Sequence, residues 1–150
     1  MVSIWSQSGV NMDLYAQNIL DRYKEPYYKD KPVKADVINE EVNHSCGDKI
    51  AVKLEIRNLP TGQAGSKLEN FTFSGVGCAI SQASADILGD LIIGKTLEEV
   101  LALTKDELFE ALGIEISLRR SKCALLGLVT VKNAILKYLG KDQNACSLTQ

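Results

Sequence analysis

Polar and apolar side chains alternate with a period of two through Lys49–Arg57. The apolar positions of this segment are Ile50, Val52, Leu54 and Ile56. Such alternation is typical of a β-strand with one buried and one solvated face. Two further strands are predicted in Val33–Asn43 and Lys67–Ser74. Because the segments between these strands are short, we expect an antiparallel meander.

The apolar period changes to that of a helix after Cys78. Helices are predicted from Asp13 to about Tyr23, from Cys78 to Gly94, from Thr96 to about Leu103, from Thr104 to Gly113, and from near Cys123 to Gly140. Threonine caps followed by glutamates, and glycines at the far ends, support these boundaries. Strands followed by helices are typical of the α+β class. We therefore expect a three-stranded antiparallel sheet with about four to five helices packed on one face.

The length of 150 residues is typical of a single domain. We expect a flexible segment at residues 1–12, the domain at 13–140 and a polar tail at 141–150. A formal net charge of −2 gives no general attraction to nucleic acid or to anionic membranes. No apolar run approaches the ~20 residues that a membrane helix needs. The first twelve residues lack the features of a secretory signal, which predicts a cytoplasmic protein.

The candidate site residues are three cysteines in different local settings and one aspartate: Cys46, Asp48, Cys78 and Cys123. Three thiolates and one carboxylate suffice for a tetrahedral metal or for one edge of an iron–sulfur cluster. In a reducing compartment, cysteines are more often metal-binding or catalytic than disulfide-bonded. The alternative is that they are small buried apolar residues. The chain has no Cys-x-x-Cys pair and no hydrolase motif, which argues against a zinc ribbon, a thioredoxin or an independent hydrolase.

The predicted elements allow the four residues to converge. Cys46 and Asp48 fall in the turn between the first two strands, and Cys78 falls where the third strand leads into a helix. We expect Cys123 at the start of the last helix, so the helix dipole would favour a thiolate at both Cys78 and Cys123. The neighbouring Lys122 would act on Cys123 in the same direction. The sequence therefore predicts an accessible, electropositive site with several thiolates.

Three local motifs are more specific than this spacing: Cys46–Asp48, Gly75–Ser81 and Arg120–Ala124. They resemble the three cysteine motifs of the U-type iron–sulfur cluster assembly proteins, the family of IscU, SufU and the N-terminal part of NifU. The resemblance extends from about Leu14 to Leu139. It implies a scaffold that accepts sulfur from a cysteine desulfurase and assembles or passes on a labile [2Fe–2S] cluster for downstream apo iron–sulfur proteins or carriers.

The same resemblance implies the ligands of the transient cluster, or of Zn²⁺, which family members also bind: Cys46, Asp48, Cys78 and Cys123. An oxygen ligand in place of a fourth thiolate is expected to weaken the attachment and to favour release of the cluster. The protein would then be a scaffold or sulfur carrier, with sulfurtransferase-type activity only together with a desulfurase.

Two departures separate this chain from IscU-like members of the family. Lys122 stands where those members have histidine, and Ile116–Arg120 stands in place of their chaperone-recognised Leu-Pro-Pro-Val-Lys stretch. The second departure argues against a dedicated chaperone partner. The third motif is SufU-like, whereas the interval between Cys78 and Cys123 is close to the shorter IscU-like spacing.

These departures keep other functions open. The chain can be a zinc-dependent sulfur acceptor of the SufU type, with Cys123 as the persulfide acceptor and Lys122 activating its thiol or pairing with Asp48. It can also be a domain with structural zinc, although a chain of this size is expected to fold without metal. His44 and the Arg119–Arg120 pair are interpreted as solvated residues, and Cys146 as incidental.

Overall fold

Three antiparallel strands form one sheet in the computed structural model, which describes residues 16–44, 47–57, 66–113 and 116–140. The strands are β1 (Val37–Asn43), β2 (Asp48–Arg57) and β3 (Lys67–Val76), in the order β1-β2-β3. Both pairings are antiparallel, so the predicted meander is confirmed.

The alternation along β2 divides the sheet into two faces, as predicted. Ile50, Val52 and Leu54 are completely buried on the inner face, whereas Lys53 and Arg57 are exposed on the outer face. Burying a side chain of this size stabilises a fold by about 1.5–3 kcal/mol. The inner face of β2 therefore fixes which side of the sheet the helices cover.

The first strand begins at Val37, four residues later than predicted. Asp36 explains this start, because its backbone N–H donates to Leu54 (2.8 Å) while its carboxylate accepts the backbone N–H of Ile56 (2.7 Å). The Asp36 carboxylate thus takes the place of a backbone carbonyl as the hydrogen-bond partner of Ile56. This contact lies at the register shift between Glu55 and Ile56. The regular pairing of β1 with β2 therefore begins only after Asp36.

Five helices lie in the described part of the chain: α1 at 16–24, α2 (Ala79–Ile92), α3 (Leu97–Leu101), α4 (Lys105–Leu112) and α5 (Leu118–Tyr138). Helices α2 and α5 pack against the inner face of the sheet. Capping boxes start α3 at Thr96 and α4 at Thr104, each with a glutamate three residues later. The α+β prediction, with helices on one face, is confirmed.

Helix α5 begins at Leu118, so the prediction that it begins near Cys123 is wrong. Ser117 is its N-cap, and the Ser117 hydroxyl accepts the backbone N–H of Arg120 at 3.3 Å. This serine was the available signal in the sequence. Cys123 consequently lies in the second turn of the helix, away from its N-terminal amides.

Arg22 ties α1 to α2. Its guanidinium contacts the completely buried Asp86 at 2.7 Å and also Asp90. Burial alone would lower the pKa of Arg22, but the hydrogen bonds to both aspartates outweigh burial and raise it. Tyr28 completes the network, because its backbone N–H donates to Asp86 (2.7 Å) and its hydroxyl donates to Asp90 (2.6 Å). Burial, followed by the hydrogen bond to Asp90, raises the pKa of Tyr28 to about 12.

Several predicted features lie outside the described residues, namely the segment 1–12, the tail 141–150, the cap at Asp13, and the side chains of Cys46 and Cys146. Of the helices that are described, none has the length and apolar character needed to cross a membrane.

Candidate metal centre

The turn between β1 and β2 delivers Asp48 to the inner side of the sheet. Asn43 and Asp48 are the last register pair of the two strands. Gly47 occupies a left-handed conformation (φ 75°), and its backbone N–H donates to the carbonyl of Asn43 at 2.8 Å. The carboxylate of Asp48 is thereby almost completely buried, with 2% of the residue exposed.

Cys78 is the N-cap of α2 and lies beside the carboxylate of Asp48. Its backbone N–H donates to Oδ1 of Asp48 at 3.0 Å. A Cβ on Gly77 would lie 2.3 Å from Oγ of Ser81 and 2.8 Å from this same Oδ1. Only glycine therefore lets the chain entering α2 pass so close to the carboxylate.

Close packing of α5 on α2 brings Cys123 to the site. The hydroxyl of Ser84 donates to the carbonyl of Ala124 at 2.6 Å. One turn further along, a Cβ on Gly127 would be 3.2 Å from that of Ala85. Small residues on both helices permit this approach, which sets the distance between the two cysteine-bearing elements.

The side chains of Asp48, Cys78 and Cys123 converge. Their candidate ligand atoms all lie within 4.8 Å of one another. Two sulfurs on one tetrahedral zinc, at ~2.3 Å from the metal, are about 3.8 Å apart, so a small movement suffices for coordination.

The environment of Asp48 also fits a cation. Its second oxygen, Oδ2, is buried and has no hydrogen-bond partner among the described residues. A buried charged oxygen is costly unless a cation or a donor compensates it. Thiolates suit zinc and iron–sulfur clusters, so the donor set fits a soft metal or a cluster.

A comparison with protein families shows which family the chain belongs to. A family model described as the NifU-like N terminal domain matches residues 14–145. The chain belongs to this family. The predicted resemblance is therefore confirmed, and it covers every part of the candidate site.

Named relatives of this NifU-like chain include an IscU scaffold protein and a SufU sulfurtransferase. The iron-sulfur cluster assembly scaffold protein IscU of Streptococcus pyogenes is 31% identical over 155 residues, covering 91% of this chain and 89% of that protein. The zinc-dependent sulfurtransferase SufU of Bacillus subtilis is 36% identical over 99 residues, covering 65% of this chain and 61% of that protein. A solved structure from Fervidobacterium islandicum AW-1, described as an iron–sulfur cluster assembly scaffold protein for the SUF system, has a TM-score of 0.60 at 26% identity and covers 79% of this chain and 94% of that one.

The site is less accessible than the sequence predicts. Cys123 is 1% exposed and Asp48 is 2% exposed, whereas Cys78 is half-buried. Of the two reasons for favouring Cys123 as a reactive thiol, the helix N-terminus is wrong, because α5 begins at Leu118. The other reason, the neighbouring Lys122, stays a prediction. Of the two cysteines in the described part of the site, Cys78 has the helix N-terminus and the access.

The charged residues around the motifs lie mostly in solvent. Lys122 is exposed and forms no ion pair with the buried Asp48, both being described residues, so the predicted pairing is wrong. His44 is exposed directly after the end of β1, and Arg120 is exposed on α5, as expected of solvated residues.

Asn43 is a site residue that sequence reasoning missed. Its side-chain amide Nδ2 lies 3.7 Å from Sγ of Cys123, and both residues are buried. The order of polar and apolar residues in β1 conceals this role, because the apolar Ile38 and Val42 lie on its exposed face. Alternation would put those two inside and Asn43 outside, which is the opposite of the observed orientation.

Proposed function

We propose that this chain is an iron–sulfur cluster assembly scaffold. It would accept sulfur from a cysteine desulfurase and assemble, or pass on, a labile [2Fe–2S] cluster. The observation that carries the proposal is the convergence of Asp48, Cys78 and Cys123 at a buried carboxylate oxygen without a protein partner in the described residues. Relatives named as IscU scaffold proteins support it.

The cluster is the cargo of this protein. A [2Fe–2S] cluster takes four protein ligands, and we propose Cys46, Asp48, Cys78 and Cys123. Cys46 is included because the Cys46–Asp48 motif resembles the first cysteine motif of the family. The carboxylate is a harder ligand than a thiolate, so one attachment is weaker and the cluster can leave. Such a protein is a carrier, and its chemistry depends on partners.

Those partners would meet the site at Cys78. The other two described ligand side chains are buried, so Cys78 is the point at which a desulfurase or an acceptor protein gains access. We place this exchange in the cytoplasm, where thiols stay reduced.

Anaerobic reconstitution tests the scaffold proposal. The protein is incubated with ferrous iron, cysteine and a desulfurase, and visible absorption, iron and acid-labile sulfide are measured. We expect cluster absorption that is lost in Cys78→Ser and Cys123→Ser. Cys146→Ser is the matched control, because this cysteine belongs to none of the three motifs. Absence of cluster absorption in the unmodified protein would refute the proposal.

A zinc-dependent sulfur acceptor is the second candidate function. The relative named as a zinc-dependent sulfurtransferase, together with the SufU-like Arg120–Ala124 motif, favours it. In this reaction a thiolate of the chain attacks the terminal sulfur of the desulfurase persulfide. The persulfide S–S bond breaks, the desulfurase leaves as a thiolate, and the acceptor becomes a persulfide without net oxidation.

Mass spectrometry of the zinc-loaded protein after desulfurase treatment separates the two functions. A sulfur added to one cysteine peptide, without cluster absorption under reconstitution, favours the sulfur acceptor. The accessibility of Cys78 predicts the addition there in preference to Cys123. Addition on Cys123 would support the prediction that Cys123 is the persulfide acceptor, and it would require the buried site to open.

A further inference from the structure

We propose that Asn43 is a positioning residue that holds the sulfur of Cys123 through an N–H···S hydrogen bond and so tunes the metal or cluster bound there. This inference rests on the proposed function, since it concerns the same site. It assigns a role to a residue that is not one of the four ligands.

The geometry begins with the inward face of β1. Asn39, Glu41 and Asn43 point towards α5, with Asn39 and Asn43 donating from their amides. Asn39 donates to the carbonyl of Thr130 (3.1 Å) and to the carboxylate of Glu41 (3.0 Å). The interface of β1 with α5 is therefore polar, unlike that of β2, and Asn43 is its member nearest the site.

The direction of the contact follows from the chemistry of the two groups. An amide nitrogen can only donate, and a sulfur, above all a thiolate, can accept. Asn43 is 2% exposed and Cys123 is 1% exposed, so water cannot replace this donor at the sulfur. A hydrogen bond to a metal-bound sulfur withdraws electron density from it and fixes its direction.

Asn43 also connects two parts of the site. It is the register partner of Asp48 across the turn, and its carbonyl accepts the N–H of Gly47. The same residue thus closes the turn that carries the carboxylate and contacts the sulfur on α5. Removing its side chain should disturb the sulfur while leaving the backbone of the turn in place.

Cobalt(II) reports on this contact directly, because thiolate-to-cobalt charge-transfer absorption depends on the electron density of the sulfur. The test titrates Co²⁺ into the metal-free unmodified protein and into Asn43→Leu, which removes the donor at similar volume. We expect about 10- to 100-fold weaker binding and a charge-transfer band at longer wavelength. Asn43→Ala provides the same readout if the leucine variant does not fold.

Asn39→Leu is the matched control. It makes the same substitution on the same face of β1 and removes hydrogen bonds to Thr130 and Glu41, with no contact to sulfur. We expect a loss of stability with an unchanged band. The inference is overturned if both Asn43 variants have the same charge-transfer band and the same Co²⁺ affinity as Asn39→Leu. The proposed function would then remain intact. Absence of a thiolate band in the unmodified protein would overturn both.

Discussion

Gly77→Ala tests whether the close approach of the chain to Asp48 is needed for the site. The φ of Gly77 lies outside the left-handed region, so an alanine backbone is tolerated there, but its Cβ would lie 2.8 Å from Oδ1 of Asp48. An ordinary contact begins at 3.4 Å. The oxygen must therefore retreat by about 0.6 Å, whereas ligand distances in a metal site hold within about 0.2 Å.

The expected consequence is a loss of metal affinity in addition to a loss of stability. Retreat of the carboxylate lengthens its hydrogen bond with the N–H of Cys78 and displaces one ligand of the three that converge. We expect binding of Zn²⁺ or Co²⁺ at least about tenfold weaker. Overpacking next to Ser81 should lower the free energy of unfolding by about 1–3 kcal/mol.

Competition with a chromogenic chelator measures the affinity, and urea unfolding of the metal-free protein measures the stability. Gly94→Ala is the control, because φ there is +88° and no atom lies within 4 Å of the added Cβ. It should lose about 1 kcal/mol through backbone strain and keep its metal affinity. Unchanged affinity in Gly77→Ala would refute the argument that this glycine makes room for the carboxylate.

The remaining predictions concern stability and metal binding. Asp48→Asn should stabilise the metal-free protein by about 1 kcal/mol, because it removes a buried charged oxygen without a partner in the described structure. A lower urea midpoint would contradict this stabilisation. The same variant should bind Co²⁺ more weakly. Asp86→Asn should cost about 1.5–3 kcal/mol in urea unfolding, since it removes the charge from the fully buried partner of Arg22. Asp90→Asn should cost less than about 1 kcal/mol, because Asp90 is 46% exposed; equal losses in the two variants would argue against burial as the cause. The stabilisation from the raised pKa of Tyr28 is complete below pH 10.0 and is lost as the pH rises to about 12. The free energy of unfolding of Tyr28→Phe should therefore depend less on pH across that range. Finally, removal of metal with a chelator should leave helical circular dichroism and cooperative melting, whereas unfolding on chelation would indicate structural zinc.

The sequence predicts most of the secondary structure because the signals are local. The alternation in β2 and the capping boxes of α3 and α4 each depend on residues within one element, and each is found where it was predicted. The predicted start of α5 near Cys123 is wrong, although its N-cap Ser117 is a local signal in the sequence. The start of β1 depends on Asp36 reaching Ile56, a contact between strands that no local pattern contains.

By itself the sequence determined the fold class, the family motifs and the identity of the candidate ligands. The order of motifs along the chain carries that information, and it includes Cys46 next to Asp48. Only the tertiary structure decided how those side chains are surrounded. Burial of Cys123, the access to Cys78 and the amide of Asn43 at the sulfur all arise where α2, α5 and the turn of the sheet pack together. These contacts join residues far apart in the chain, so their distances and solvent exposure are properties of packing, which periodicity and spacing do not encode.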